Sequence, residues 1–200
     1  EKMSKIIMAI ALIGSLASGK DTAEGYIEHQ IRNFGGGYEP LILRTSELLD
    51  EEVKNKFPDA PVTQKLKQLV ESEIDDANPN FIVDKLYKQI VACPKDNVAV
   101  VINSVQTEAQ AHRWLELIDE ITFIYLRTND DIRFERYNLR EKKAGRPSIS
   151  SEDFDSLNNR FFDASVNNLL SFVPITNIFD NSFEKAKLIA DINGVMSDIL

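Results

Sequence analysis

Nine consecutive residues near the N-terminus, Gly14-Ser15-Leu16-Ala17-Ser18-Gly19-Lys20-Asp21-Thr22, have the types and the spacing that phosphate binding requires. They fit the pattern G-x-x-x-x-G-K, in which successive backbone N–H groups surround phosphate oxygens and the lysine reaches the β- and γ-phosphates. The next position usually carries a Ser or Thr that helps to hold Mg²⁺, and here Asp21 stands there, followed by Thr22. We therefore predict that residues 14–22 bind a nucleoside triphosphate, with Asp21 and Thr22 as metal ligands.

The segments on either side of this loop have the character needed to position it. The apolar run Ile6–Ile13 ends directly at Gly14, which is typical of a strand buried inside a parallel sheet. A helix is predicted from about Gly19 to Asn33, where three glycines at 35–37 end it. The start of that helix adds unpaired N–H donors and partial positive charge at the phosphate site.

The remaining chain alternates between predicted strands and predicted helices, which indicates parallel βαβ units. The further strands are predicted at Pro40–Arg44, Val98–Asn103, Ile121–Leu126 and Thr176–Phe179. The further helices are predicted from Thr45, and at Thr63–Ile74, Phe81–Val91, Glu108–Leu117, Asp130–Glu141, Ser151–Asn168 and Phe183–Leu200. We predict one domain over residues 1–200, with an α/β fold of three layers around a five-stranded parallel sheet.

Composition narrows the set of partners and compartments. The net charge of −9 argues against binding to a nucleic acid polymer or to an anionic membrane. The single cysteine, Cys93, excludes an internal disulfide and fits a reducing compartment. No apolar run reaches the roughly 18–20 residues that would span a bilayer. We therefore expect a cytoplasmic protein, and nothing in the sequence indicates its oligomeric state.

Arginines concentrate in one segment, at positions 127, 133, 136, 140, 146 and 160. Arg133, Arg136 and Arg140 have the i, i+3, i+7 spacing that puts them on one helix face. Such a face can stabilise the negative charge of a phosphoryl group during transfer, and a closing segment can exclude water. We predict a helical lid over about 133–160. The alternative is a solvated face whose arginines pair with neighbouring acids.

In its predicted loop, lid and order of strands, the chain resembles the P-loop nucleoside and nucleotide kinases over nearly its whole length. The stretch IRFERYNLR resembles the Q-x-x-R-x-x-x-R lid helix of dephospho-CoA kinases, with Arg136 and Arg140 on its two arginines. The loop sequence GKDT resembles that of some deoxynucleoside monophosphate kinases, and SSEDFDSLNNR resembles the helix after the lid. The segment NIFDNSF resembles the late strand and the polar turn after it.

This resemblance implies a P-loop NTPase fold with ATP and Mg²⁺ as cofactors. It also implies catalytic roles for Lys20, Arg136 and Arg140, and a position near the adenine for Asp180 and Asn181. The sequence differs from the family pattern at three sites: Asp21 stands at the usual Ser or Thr position, Asn103-Ser104 stand where relatives often have an acid, and Gln106 stands where they often have an arginine.

Two functions follow from these residues. In the first, the protein is an ATP-dependent phosphotransferase for a small phosphorylated acceptor, a nucleotide or a coenzyme precursor such as a deoxynucleoside monophosphate or dephospho-CoA. The acceptor would lie near the ends of the second and third strands, where Glu47 is the acid expected to activate it. In the second, the protein is a nucleotide-binding regulatory module or a slow NTPase, which Asn103 and Gln106 favour because they remove polar groups expected on the acceptor side.

Overall fold

The computed structural model describes residues 5–34, 36–158 and 168–200. Its strands are β1 (Lys5–Ile13), β2 (Glu39–Arg44), β3 (Asn97–Asn103), β4 (Ile121–Arg127) and β5 (Ile178–Asp180). Its helices are α1 (Lys20–Phe34), α2 (Thr45–Lys56), α3 (Gln64–Ala77), α4 (Phe81–Ala92), α5 (Glu108–Leu117), α6 (Asp130–Lys143), α7 (Ser151–Asn158) and α8 (Lys185–Ile199). The strands and helices alternate as predicted.

The five strands form one parallel sheet in the order β2-β3-β1-β4-β5. Strand β1 lies at its centre, between β3 and β4, so the loop that leaves β1 emerges in the middle of the sheet edge. In register, Leu12 of β1 lies beside Asn103 of β3, and Arg44 of β2 lies beside Asn103 on its other side. The carboxyl ends of β1, β2 and β3 therefore meet at the loop, where open α/β sheets bind ligands.

Apolar side chains bury both faces of the sheet, which explains why the strands are near-continuous apolar runs. Along β1 the side chains alternate: Ala9, Ala11 and Ile13 join a cluster with α2, α4 and α5, and Met8, Ile10 and Leu12 join a cluster with α1 and α8. The three-layer α/β/α architecture predicted from the sequence is confirmed.

Several element boundaries differ from the prediction by one to three residues, and two of the differences have a clear structural reason. Strand β5 begins at Ile178 and not at Thr176, because the preceding residues close a 3₁₀ turn in which Asn177 N donates to Pro174 O at 2.8 Å. Helix α8 begins at Lys185 and not at Phe183, which lies exposed in the preceding turn. The predicted Ser151–Asn168 helix is present as α7 up to Asn158, and 159–167 lie outside the described residues.

Helices α6 and α7, which cover most of the segment predicted to be a lid, pack against each other, and their role as a lid stays a prediction. The ring of Phe154 on α7 lies 5.6 Å from that of Phe134 and 5.5 Å from that of Tyr137, both on α6. The side chain of Asn138 on α6 bonds both the N–H and the carbonyl of Ile149 in the connecting loop. Among the described residues, no helix is both long enough and apolar enough to cross a membrane.

Candidate functional site

The loop between β1 and α1 has a backbone that depends on its second glycine. Gly19 has a φ of +97°, a left-handed conformation that residues with a Cβ adopt only with strain. A Cβ at Gly19 would also clash with the side-chain nitrogen of Asn181. The loop therefore requires glycine at this position for two independent reasons.

Lys20 lies at the first turn of α1, partly buried, and its side chain folds over the loop. Its Nζ donates to the carbonyls of Gly14 at 2.5 Å and Ser15 at 3.0 Å. The pKa of Lys20 is lowered to about 8, mainly by burial and also by the neighbouring Arg140 and Arg133, while Asp21 and Glu71 oppose the shift. A cation held among other cations gains stability from a bound anion, which is the electrostatic character of a phosphate site.

Three side chains from distant segments hold the loop from behind. Asn181 Nδ2 and Thr128 Oγ1 both donate to the carbonyl of Ser18, at 2.8 and 3.0 Å. Arg133 NH1 donates to the carbonyl of Leu16 at 3.3 Å. These bonds satisfy the loop carbonyls of Ser18 and Leu16 and fix the position of the loop against its surroundings.

A chain of polar contacts links the start of α1 to the ends of β2 and β3. Asn103 Nδ2 donates to Asp21 Oδ1 at 2.9 Å and to Glu24 Oε2 at 2.5 Å. Arg44 Nε donates to Glu24 Oε1 at 3.0 Å, and Arg44 NH1 donates to Glu47 Oε1 at 2.9 Å. The buried Glu24 is thus neutralised by Arg44, and Asn103 fixes the orientation of the exposed Asp21.

The lid brings two of its arginines to the loop. Arg136 NH2 donates to the carbonyl of Asn181 at 2.9 Å, and its NH1 is buried without a hydrogen-bond partner in the described parts of the chain. Removal from water lowers the pKa of Arg136. Arg140 is more exposed, and its guanidinium lies 5.2 Å from the centre of the Tyr137 ring. Both arginines line the cavity described next.

A cavity of about 1420 Å³ extends from the loop to α3 and the lid. Its walls come from the loop and the start of α1, from α2 and α3, from the segment after β3, and from α6 and α7. Gln68 Nε2 of α3 donates to the carbonyl of Leu157 of α7 at 2.7 Å, so the far end of the lid is tied to the α3 wall. This volume is ample for a nucleotide, since drug-sized ligands occupy pockets of about 300–1,000 Å³.

The α3 wall carries the polar residues that sequence reasoning missed. Glu71 is 3% exposed and lines the cavity, and Gln68 and Gln106 line it as well. The pKa of Glu71 is raised to about 8, mainly by burial and also by the charge of the nearby Asp75, while Gln106 and Lys20 oppose the rise. The available signal was the spacing of Gln68, Glu71 and Asp75, which share one face of an otherwise ordinary amphipathic helix.

The structure brings most of the predicted residues together, although not all of them. The cavity is lined by Gly14, Leu16, Ala17, Ser18, Gly19, Lys20, Asp21, Thr22, Arg136 and Arg140, and Ser15 lies in the same loop. Asn181 contacts the loop at the carbonyl of Ser18, and Asp180 accepts from Arg127 at 3.2 Å; neither is part of the cavity lining, so their position near the adenine stays a prediction. Glu47 lies exposed on α2, bonded to Arg44 and outside the cavity lining, so its catalytic role stays a prediction.

The residues present fit a triphosphate with its Mg²⁺. The hydroxyl of Ser18 is buried without a partner among the described residues, and Lys20 lies within the influence of the positive charges of Arg140 and Arg133. The described residues contain no group of three metal-binding side chains. Such a group is not needed, because Mg²⁺ in phosphate sites commonly takes one or two carboxylates together with phosphate and water oxygens. Asp21 and Thr22 are exposed and line the cavity.

Comparison with known proteins relates this chain to kinases by fold. No protein-family model and no curated protein match the sequence. Among solved structures, the chain is similar to a candidate kinase from Chloroflexus aurantiacus, with a TM-score of 0.61 and 14% identity over 100% of this chain and 98% of that one. It is also similar to a gluconokinase from Sinorhizobium meliloti, with a TM-score of 0.50 and 13% identity over 98% of this chain and 94% of that one. At these identities the likeness establishes the P-loop kinase-like fold of the chain.

Proposed function

We propose that this protein is an ATP-dependent phosphotransferase that acts on a small acceptor. The proposal rests on the lining of one cavity. On one side lie the phosphate-binding loop, the partly buried Lys20, and Arg136 and Arg140 of α6, and on another lies a separate polar wall on α3. A nucleotide-binding module needs only the phosphate-binding loop, whereas a kinase also needs a binding region for the acceptor that faces this loop. The acceptor would be a nucleotide or a coenzyme precursor such as a deoxynucleoside monophosphate or dephospho-CoA.

In this proposal the protein contributes position and charge, because phosphoryl transfer demands little covalent chemistry of its catalyst. The loop N–H groups and Lys20 bind the β- and γ-phosphates, and Asp21 and Thr22 hold Mg²⁺, which neutralises phosphate charge when it is bound. Arg136 and Arg140 stabilise the charge of the transferring group and exclude water. Asp180 and Asn181 support the loop near the nucleotide. The single cysteine suits a cytoplasmic enzyme.

One observation favours a second function, a nucleotide-binding regulatory module or slow NTPase. Asn103 and Gln106 stand at the end of β3, where the resemblance implied an acid and an arginine, and Asn103 is bonded to Asp21 and Glu24. An amide cannot take a proton from an acceptor, and Gln106 cannot hold a phosphorylated acceptor as an arginine would.

Mg²⁺-dependent ATP consumption with a panel of acceptors distinguishes the two functions. The panel contains dephospho-CoA, each deoxynucleoside and ribonucleoside monophosphate, the free deoxynucleosides and gluconate, with Lys20→Ala as the blank. Stimulation by one acceptor, lost in the variant, is the result expected of a kinase. ATP binding without stimulation by any acceptor would favour the regulatory module.

A further inference from the structure

Three polar side chains on one face of α3, here called the polar stripe, destabilise the folded protein unless a ligand forms hydrogen bonds with them. Gln68, Glu71 and Asp75 share one helix face, and each has a buried side-chain oxygen without a hydrogen-bond partner in the described segments. An unsatisfied buried polar group costs about 1–3 kcal/mol, and native proteins contain few of them. Gln68 and Glu71 line the cavity, so a molecule bound there can satisfy them.

Glu71 is the member of this stripe that lies nearest to the expected chemistry. Its carboxyl and the ammonium of Lys20 are close enough for each charge to shift the pKa of the other. Gln106 contacts the same carboxyl, yet Oε1 has no hydrogen-bond partner among the residues the structure describes. The groups that act on Glu71 are Asp75 of α3, Gln106 of the segment after β3 and Lys20 of α1. The other charged groups on the neighbouring elements that line the same cavity are Asp21 from α1, Asp50 from α2, Lys67 from α3 and Arg140 from α6.

The other acids that line the cavity already have partners. Asp21 accepts from Asn103, Asp50 pairs with Lys67, Glu141 accepts two bonds from Arg146, and Asp153 accepts from Ser150. Asp50 Oδ1 is also buried without a hydrogen bond, but it forms an ion pair with Lys67, whereas Glu71 Oε1 has no hydrogen-bond partner within the described residues and stays available to a bound molecule.

We propose that Glu71 takes the proton from a hydroxyl of the acceptor, so that the group phosphorylated in this cavity is a hydroxyl and not a phosphate. This inference rests on the kinase function proposed above. The acceptor oxygen forms a bond to the γ-phosphorus while the bond from that phosphorus to the β-phosphate oxygen breaks. The electron pair of the broken bond leaves on ADP, and the hydroxyl proton passes to Glu71. A phosphate acceptor is already an anion near neutral pH and needs no base.

The pH dependence of the reaction follows from the same carboxyl. A general base works only when it is deprotonated, and kcat/KM reports the ionisation of the free enzyme. Because the pKa of Glu71 is raised to about 8, kcat/KM should rise with pH toward about 8, and it should fall at higher pH as Lys20, whose pKa is also about 8, loses its charge. Asp75 raises the pKa of Glu71 through its charge, so Asp75→Asn should move the rising limb of the profile to lower pH.

The test combines the chemistry of the product with two variants of α3. Wild type, Glu71→Gln and Asp75→Asn are incubated with Mg²⁺-ATP and the acceptor panel, and ³¹P NMR distinguishes a phosphate monoester from a diphosphate. We expect a monoester as product. Glu71→Gln should lower kcat by about 10²- to 10⁴-fold and remove the rise with pH. Its Kd for ATP, measured by calorimetry, should stay within about threefold of wild type, since Glu71 is the weakest of the neighbouring influences on the charge of Lys20.

The failures of the two proposals give different results. A diphosphate product, or a monoester formed equally fast by Glu71→Gln, would overturn the role of Glu71 while the kinase function stands. ATP binding without any phosphorylated product would overturn the kinase function and the role of Glu71 with it. Asp75→Asn removes an acid from the same helix face, so a loss confined to Glu71→Gln cannot come from a general effect on α3.

Discussion

The two walls of the cavity are built in different ways. The phosphate-binding loop is continuous in sequence, and side chains from the residue after β4, from α6 and from the turn after β5 satisfy its carbonyls at Leu16 and Ser18. The α3 wall is assembled from Gln68, Glu71 and Gln106, and it retains buried oxygens without partners in the described part of the chain.

The loop is therefore preorganised for its ligand, whereas the α3 wall has polar groups that a bound ligand would satisfy. The loop is held rigidly before any ligand arrives, so its substitution should act through backbone strain. The α3 wall is incomplete by itself, so its substitution should act through chemistry and pH and only weakly through ATP binding. A loop substitution that changed only the chemistry and its pH dependence, or an α3 substitution that acted mainly on ATP binding, would contradict this description of the cavity.

The largest effect is expected from Gly19→Ala. The substitution forces a Cβ into a left-handed backbone and against Asn181, at a cost of about 3 kcal/mol, or roughly 100-fold in ATP affinity. Gly25→Ala is the matched control, because Gly25 lies in α1 with no atom within 4 Å of the added Cβ. The control should bind ATP normally and unfold at slightly higher temperature, since alanine favours helix. Calorimetric titration with Mg²⁺-ATP measures the affinities of both variants.

The second effect separates binding from catalysis in the lid. Arg136→Ala should lower kcat by about 100-fold and change the Kd for ATP less than about threefold, because the guanidinium stabilises charge that develops during transfer. Lys142→Ala on the same helix is the control, since Lys142 is exposed and does not line the cavity. Equal losses in kcat and affinity, or no loss, would identify Arg136 as a structural residue.

The smallest effect concerns stability and pH on the α3 wall. The folded-state pKa of Glu71 lies above its ordinary value of 4.5, so the folded protein keeps a proton that the unfolded chain loses. The free energy of unfolding should therefore fall as pH rises from about 4.5 to about 8, by at most about 1.4 kcal/mol per pH unit. Glu71→Gln lacks this term, so its stability advantage over wild type should grow between pH 5 and pH 8. Urea unfolding at both pH values measures it, and a constant difference would mean that Glu71 titrates normally.

The sequence was informative where function lies in one continuous segment. Strand β1, the loop and α1 form a local pattern whose apolar run, glycines and lysine each have a physical reason, and the structure brings these residues together. The lid face was readable for the same reason, because Arg133, Arg136 and Arg140 follow the helical period.

The acceptor side could not be predicted in the same way. Glu47 was selected because it follows β2, but its place in the first turn of α2 puts it beside Arg44 and outside the cavity lining. Glu71 lines the cavity from α3, and the bond from Gln68 to the carbonyl of Leu157 joins α3 to α7 at this cavity. A contact between residues 89 positions apart leaves no local pattern in the sequence.

Calorimetric titration of Mg²⁺-ATP into wild type and Lys20→Ala tests the central claim most directly. The account predicts one ATP bound per chain by wild type and loss of that binding in Lys20→Ala, because the variant removes the cation at the centre of the loop. Circular dichroism should show the same folded state for both proteins, so that the loss is assigned to the site. Equal ATP binding by the two proteins would contradict the assignment of residues 14–22 as the phosphate-binding loop, and with it the proposed kinase.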